Sequence, residues 1–177
     1  SKNSDFNRIN QVGDFILAAS THEGEDEVVI NSFKKLKEEF SDIKLIIVPR
    51  HPERANTIKG ILSNNNMNFQ VSSDLDFNIK ENDIIVISAT GYLDYLYKLS
   101  KVSFIGGSLF SRYGGHNIIE AAFNESPFIV GPYMKNFEDV LNLFLRRDAC
   151  LQIEKPDELT EAYKKLLKNN ELRKHMI

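Results

Sequence analysis

Short apolar runs, each bounded by turn residues, recur along the chain: DFILAAS (14–20), KLIIVPR (44–50), NFQVS (68–72), DIIVIS (83–88), VSFIGG (102–107), PFIVG (127–131) and CLQI (150–153). Continuous β-branched runs of this length are the pattern of strands covered on both faces, as in a parallel sheet. Helical patterns lie between most of them. In GEDEVVINSFKKLKEEF, Val29, Phe33, Leu36 and Phe40 follow a 3.6-residue period, and Glu25, Asp26 and Glu27 suit its positive N-terminal end. Pro52 opens PERANTIKGIL at a first-turn position where its missing N–H is harmless. NFEDVLNLFLRR and PDELTEAYKKLLK repeat the theme, with Asn136 as the expected cap of the first and Pro156 in the first turn of the second.

Strands alternating with helices at this spacing predict an α/β fold, a Rossmann-like doubly wound parallel sheet. SNNNMN (63–68) reads as a polar turn and SDLDFNIKEN (73–82) as a loop. One domain over 14–177, with 1–13 as a lead-in or linker, accounts for the pattern, and 177 residues that are 42% hydrophobic suffice to bury its core. A net charge of -3 argues against the basic surface that nucleic-acid binding needs. The single cysteine, Cys150, excludes an internal disulfide and reads as a small buried hydrophobe. No apolar run reaches the roughly 20 residues of a membrane span, and SKNSDFNRINQ lacks the apolar core of a signal peptide, so a soluble piece is expected. With no initial methionine and an end at LRKHMI, it reads as a portion of something longer.

In an open parallel sheet, ligands bind beyond the carboxyl ends of the strands. That rule gathers STHEGE, PRHPER, GGSLFSRYGGHN and GPYMKNF on one rim, with His22, His51 and His116 beside Arg50, Arg54 and Arg112. Such a rim suits a small anionic ligand. Each element also has a plainer reading. A lone histidine at a strand end is more often a capping or solvent-facing residue, and the pairs Gly106–Gly107 and Gly114–Gly115 could serve turns needing positive φ as well as a close phosphate. Glu120, three residues after Asn117 on the expected helix, could accept from a ribose diol or cap the helix start. Tyr92, Tyr95 and Tyr97 read as packing residues. Zinc held by the three histidines is disfavoured, because no HExxH or cysteine pair exists and arginines would repel a cation. The GxGxxG fingerprint and the GxSxG elbow are both missing, against a dinucleotide oxidoreductase and an α/β-hydrolase.

AASTHEGEDE (18–27), LIIVPRHPER (45–54), FIGGSL (104–109), GGHNIIEAA (114–122) and GPYMKNFEDV (131–140) together resemble the C-terminal half of the 3-deoxy-D-manno-octulosonic acid (Kdo) transferases of lipopolysaccharide synthesis, in that family's order. The resemblance spans about residues 14–175. It implies the C-terminal half of a GT-B glycosyltransferase whose donor is CMP-Kdo and whose acceptor is a lipid A precursor, lipid IVA. It also implies inverting, metal-independent transfer at the cytoplasmic face of the bacterial inner membrane, without a cofactor. Carried over by motif position, Ser20, Thr21 and His22 form the donor-facing first loop, and Pro49 and Arg50 lie by the nucleotide. Gly106, Gly107, Gly114, Gly115, His116 and Asn117 surround the phosphate at a helix N-terminus, and Glu120 holds the ribose.

The family's catalytic base and its membrane-associating face belong to an N-terminal acceptor domain that this chain does not carry, so the resemblance implies donor binding without turnover. Departures from the family pattern are Ile118 and Ile119 for Pro-Leu, Ala121 for a second proline, and SATGYL (88–93), where Ser88 and Tyr92 replace two acids. Two other readings stay open: a non-catalytic nucleotide-binding or docking module, and another GT-B enzyme such as a nucleotide-sugar epimerase or a UDP-sugar transferase.

Overall fold

The computed structural model describes residues 13–177, so the expected lead-in lies outside the described residues apart from Gly13. Every one of the apolar runs forms a strand: β1 (Phe15–Thr21), β2 (Lys44–Pro49), β3 (Phe69–Ser72), β4 (Ile84–Ile87), β5 (Val102–Ile105), β6 (Phe128–Val130) and β7 (Leu151–Gln152). They pair in parallel in the order β3-β4-β2-β1-β5-β6-β7.

The continuous hydrophobicity has a direct cause. Successive strand residues point to opposite faces, and both faces are covered. Ile16, Ala18, Leu45, Ile47 and Phe104 face one layer, built on α1 (Glu25–Glu39), α2 (Ala55–Asn64) and α6 (Leu159–Lys168). Phe15, Leu17, Ala19, Ile46 and Ile105 face the other, built on α3 (Leu93–Leu99), α4 (Ile119–Phe123) and α5 (Glu138–Arg146). The chain closes on α7 (Asn170–Met176). Cys150 is 4% exposed and burial pushes its thiol up to about 12, so it packs as a small hydrophobe.

Residues 93–99 form α3, which buries Leu96 and Tyr97 against the sheet. Two local details differ from expectation. Asn136 does not cap α5. It lies in a 3₁₀ turn (Lys135–Phe137), the capping position is Phe137, and its Nδ2 donates to the carbonyls of Tyr113 and Gly115 at 2.9 and 3.3 Å. Asn117 stands before α4 rather than on it, its Oδ1 accepting from Ile119 N–H at 2.9 Å, so it shares no helical face with Glu120.

The connections fix where a ligand can sit. From β1 the chain moves outward through β2 to β3 and β4, then crosses back to place β5 on the other side of β1. Loops leaving β1 and β5 therefore diverge at their carboxyl ends and open a crevice between them.

Candidate functional site

A cleft of about 400 Å³ lies at this switch point. Its walls come from the end of β1 (Ser20), the end of β2 (Pro49, Arg50), residues 89–94 after β4, and His116, Asn117 and Glu120 after β5. A wider depression of about 520 Å³, beside Asp14, Glu39 and Lys101, sits at the amino end of the sheet. Position rather than size therefore identifies the site.

The crevice is held open by close backbone packing. Ser20 adopts φ 57, and the β1–β2 register shifts between Ala19 and Thr21, which turns Ser20 out of the ladder toward the cleft. Behind it, Gly106 N–H donates to Ala19 O at 2.7 Å, and a Cβ at Gly106 would lie 2.3 Å from Ser20 O. Only glycine permits that approach. Gly107, at φ 69, lies under His116, whose ring carbon Cδ2 would be 2.8 Å from an added Cβ.

Glu25 ties the two loops together. It is 1% exposed, and its Oε1 accepts from His22 N–H at 2.9 Å and Gly107 N–H at 2.8 Å, while its Oε2 accepts from Ser108 and Leu109 N–H at 3.2 Å each. Burial pushes its carboxyl above the ordinary range, and these amides offset only part of that rise. Asp26 beside it accepts from Thr21 Oγ1 at 2.6 Å and pairs with Arg54. Thr21 O in turn accepts from Arg50 N–H at 2.9 Å, which anchors the backbone at the cleft lip.

The basic rim read from the sequence thus divides by role. Arg54 is neutralised by Asp26, and Arg112 lies 5.2 Å over the Tyr113 ring. Arg50 is exposed at the cleft and makes no ion pair among the described residues. His22 and His116 meet, Nε2 to Nε2, at 2.6 Å, and His22 stacks on Tyr113 with centroids 3.6 Å apart. His51 stands edge-on to His22 at 5.6 Å. Desolvation, then the neighbouring His116, His51, Arg54 and Arg50, pulls His22 from 6.5 down to about 4; desolvation, then Arg50 and His51, lowers His116. Both rings are therefore neutral at pH 7.

Between about pH 6.5 and about 4 the unfolded chain binds a proton that the folded His22 ring refuses, so stability falls as pH falls through this window. Urea midpoints measured in steps across the window should decline less steeply for His22→Gln than for the wild type. Parallel declines would contradict the assignment.

Among the carried-over residues, Ser20, Pro49, Arg50, His116, Asn117 and Glu120 line the cleft. Thr21, His22, Gly106, Gly107 and Gly115 do not line it, Gly115 packing against Met134, and Gly114, against Asn136, lines a separate cleft beside Tyr133 and Lys135. The helix after the glycines, α4, has five residues, so its dipole contribution is small. Glu120 is pushed up to about 7, first by burial and then by its hydrogen bond with Asp94 and that residue's charge. Asp94, together with Glu25 and Tyr113, escaped the sequence reading of the site. The available signals were an acid in the first turn after the fourth strand and an aromatic beside the second glycine pair. Tyr92 and Tyr97 both contribute to the cleft wall, Ser88 bonds the β3 end instead, and Ile118 is buried in the core. Among the described residues no group of three or more His, Cys, Asp or Glu is arranged to hold a metal ion.

No family model matches the chain. It is 34% identical over 155 residues to the 3-deoxy-D-manno-octulosonic acid transferase of Rickettsia conorii, covering 88% of this chain and 33% of that protein. It is 37% identical over 163 residues to a bifunctional glycosyltransferase/methyltransferase of Fusobacterium nucleatum, covering 89% of this chain and 24% of that one. The chain spans about a third or less of the length of these relatives. Among solved structures it superimposes with a TM-score of 0.89 on the C-terminal CMP-Kdo binding domain of WaaA from Acinetobacter baumannii, at 25% identity, covering 99% of this chain and 92% of that domain. The architecture is the C-terminal half of a GT-B glycosyltransferase.

Proposed function

We propose, from a chain that belongs with the C-terminal domains of the 3-deoxy-D-manno-octulosonic acid transferases, that the cleft between β1 and β5 binds the CMP-Kdo donor. The whole protein then transfers Kdo from CMP to a hydroxyl of a lipid A precursor. The observation that carries this reading is the convergence of Arg50, His116, Asn117 and Glu120 on one cleft at the switch point. Arg50 and His116 face the phosphate, and the Glu120 carboxyl accepts from ribose hydroxyls. No resident cofactor enters the scheme. As the bond to the sugar breaks, its electron pair passes to a phosphate oxygen, and fixed basic side chains stabilise that charge in place of a metal.

The acceptor hydroxyl must be deprotonated by a base outside this chain, in the N-terminal portion of a full-length enzyme working at the cytoplasmic face of the inner membrane. No helix among the described residues is long and apolar enough to cross a membrane.

Calorimetric titration with CMP, UMP and AMP, EDTA present throughout, tests the reading. CMP should bind with the highest affinity, and the chain mixed with CMP-Kdo and acceptor should transfer nothing. Tighter binding of UMP would replace the reading with that of a UDP-sugar enzyme.

A further inference from the structure

His22 and His116 come from positions 94 residues apart, yet their Nε2 atoms lie 2.6 Å from each other. Two imidazoles make such a bond only if one carries hydrogen on Nε2 and the other does not. Each neutral ring then has one remaining nitrogen, Nδ1, and neither Nδ1 has a hydrogen-bond partner among the described residues. A proton added at the free Nδ1 lone pair of the donor ring makes a cation whose charge is shared across the short bond.

The surroundings decide when that proton arrives. His22 is 4% exposed, stacked on Tyr113, with His51 at its edge, while His116 faces the cleft beside Arg50. The charged and titratable groups acting on the pair are His51, Arg50 and Arg54, all of which repel a proton. The nearby carboxylates are committed elsewhere: Glu25 to backbone amides, Asp26 to Arg54 and Thr21. An anion seated against Arg50 and His116 would cancel the field of Arg50 and attract a proton from the other side.

We infer that the His22–His116 pair takes up a proton when phosphate enters the cleft, so that the phosphate is held by a two-ring cation and His22 acts as a positioning residue through His116. This rests on the nucleotide reading proposed above. A pair so poised is neutral while the cleft is empty, which spares the folded domain a buried charge. It is cationic when a leaving phosphate gains charge, where a cation is most useful.

The test uses the methyl ester of CMP, a phosphodiester with no titrating proton near neutrality, so that any proton taken up belongs to the protein. Calorimetry at about pH 6.5 in buffers of different ionisation heat should give roughly one proton per ester bound by the wild type. His22→Gln, which keeps a hydrogen-bonding side chain but cannot become cationic, should bind about tenfold more weakly and take up markedly less proton, the remaining uptake being that of His116 alone. Imidazole nitrogen shifts in the wild-type chain report the same event without a substitution. Ester binding with no proton uptake, or with undiminished uptake in His22→Gln, overturns the inference and leaves the nucleotide reading standing. Failure of the ester to bind at any pH, with CMP also inert, removes both.

Discussion

Glu25→Ala lowers the stability of the domain by about 3–5 kcal/mol, the largest single-residue effect expected outside the apolar core. The reason lies in the accounting of four amides. His22, Gly107, Ser108 and Leu109 donate to one buried carboxylate, and truncation leaves all of them without an acceptor in a region with little access to water. Glu25→Gln should fall between. Its carbonyl oxygen can serve one pair of amides, but its NH₂ group then points at the other pair, donor against donor. Urea unfolding followed by circular dichroism measures both. An alanine cost below about 1 kcal/mol, the loss expected for one ordinary hydrogen bond, would contradict this role of Glu25.

Arg50→Ala should weaken CMP binding by about 10–100-fold while leaving the urea midpoint unchanged. The two halves of that expectation come from different atoms. The backbone N–H of Arg50 bonds to Thr21 O and survives the substitution, whereas the exposed guanidinium makes no ion pair within the described residues and stabilises nothing there. A charge kept free at the lip of a cleft is available to a ligand. Arg50→Lys should recover part of the affinity, because the charge returns without the planar fork. Equal binding by wild type and Arg50→Ala would move the phosphate away from this wall of the cleft.

The division between what could be read in the sequence and what could not follows the range of each interaction. The strands were legible because burial on both faces removes alternation, leaving β-branched runs such as LIIV in β2 and IIVI in β4. The rim was legible through the rule that ligands sit beyond strand ends, which alone places His22, Arg50 and His116 together.

Pairings across long separations were not. Glu25 looked like an acid at a helix N-terminus, which is true locally, but three of its amide donors lie 82–84 residues further on. Asn136 followed the local preference for a cap, and a tertiary demand from the Tyr113–Gly115 loop took its side chain instead. The glycines show the same limit. Their flexibility was plain, but the structure places protein on their open faces: Ser20 backbone at Gly106 and the His116 ring at Gly107. They bring neighbouring segments close enough for His116 and Asn117 to reach the cleft. Nothing local marks Asp94 as the partner of Glu120, because the two meet only when α3 packs beside α4.

The most direct test of the central claim, that the switch-point cleft is the CMP site, is an amide chemical-shift titration of this chain with CMP, EDTA present, and UMP and AMP as controls. The largest changes are expected around Ser20, Arg50, residues 89–94 and His116–Glu120, stronger for CMP than for either control. Changes centred instead on the separate cleft of about 350 Å³ beside Tyr133, Lys135 and Gln152, or none at saturating nucleotide, would contradict it.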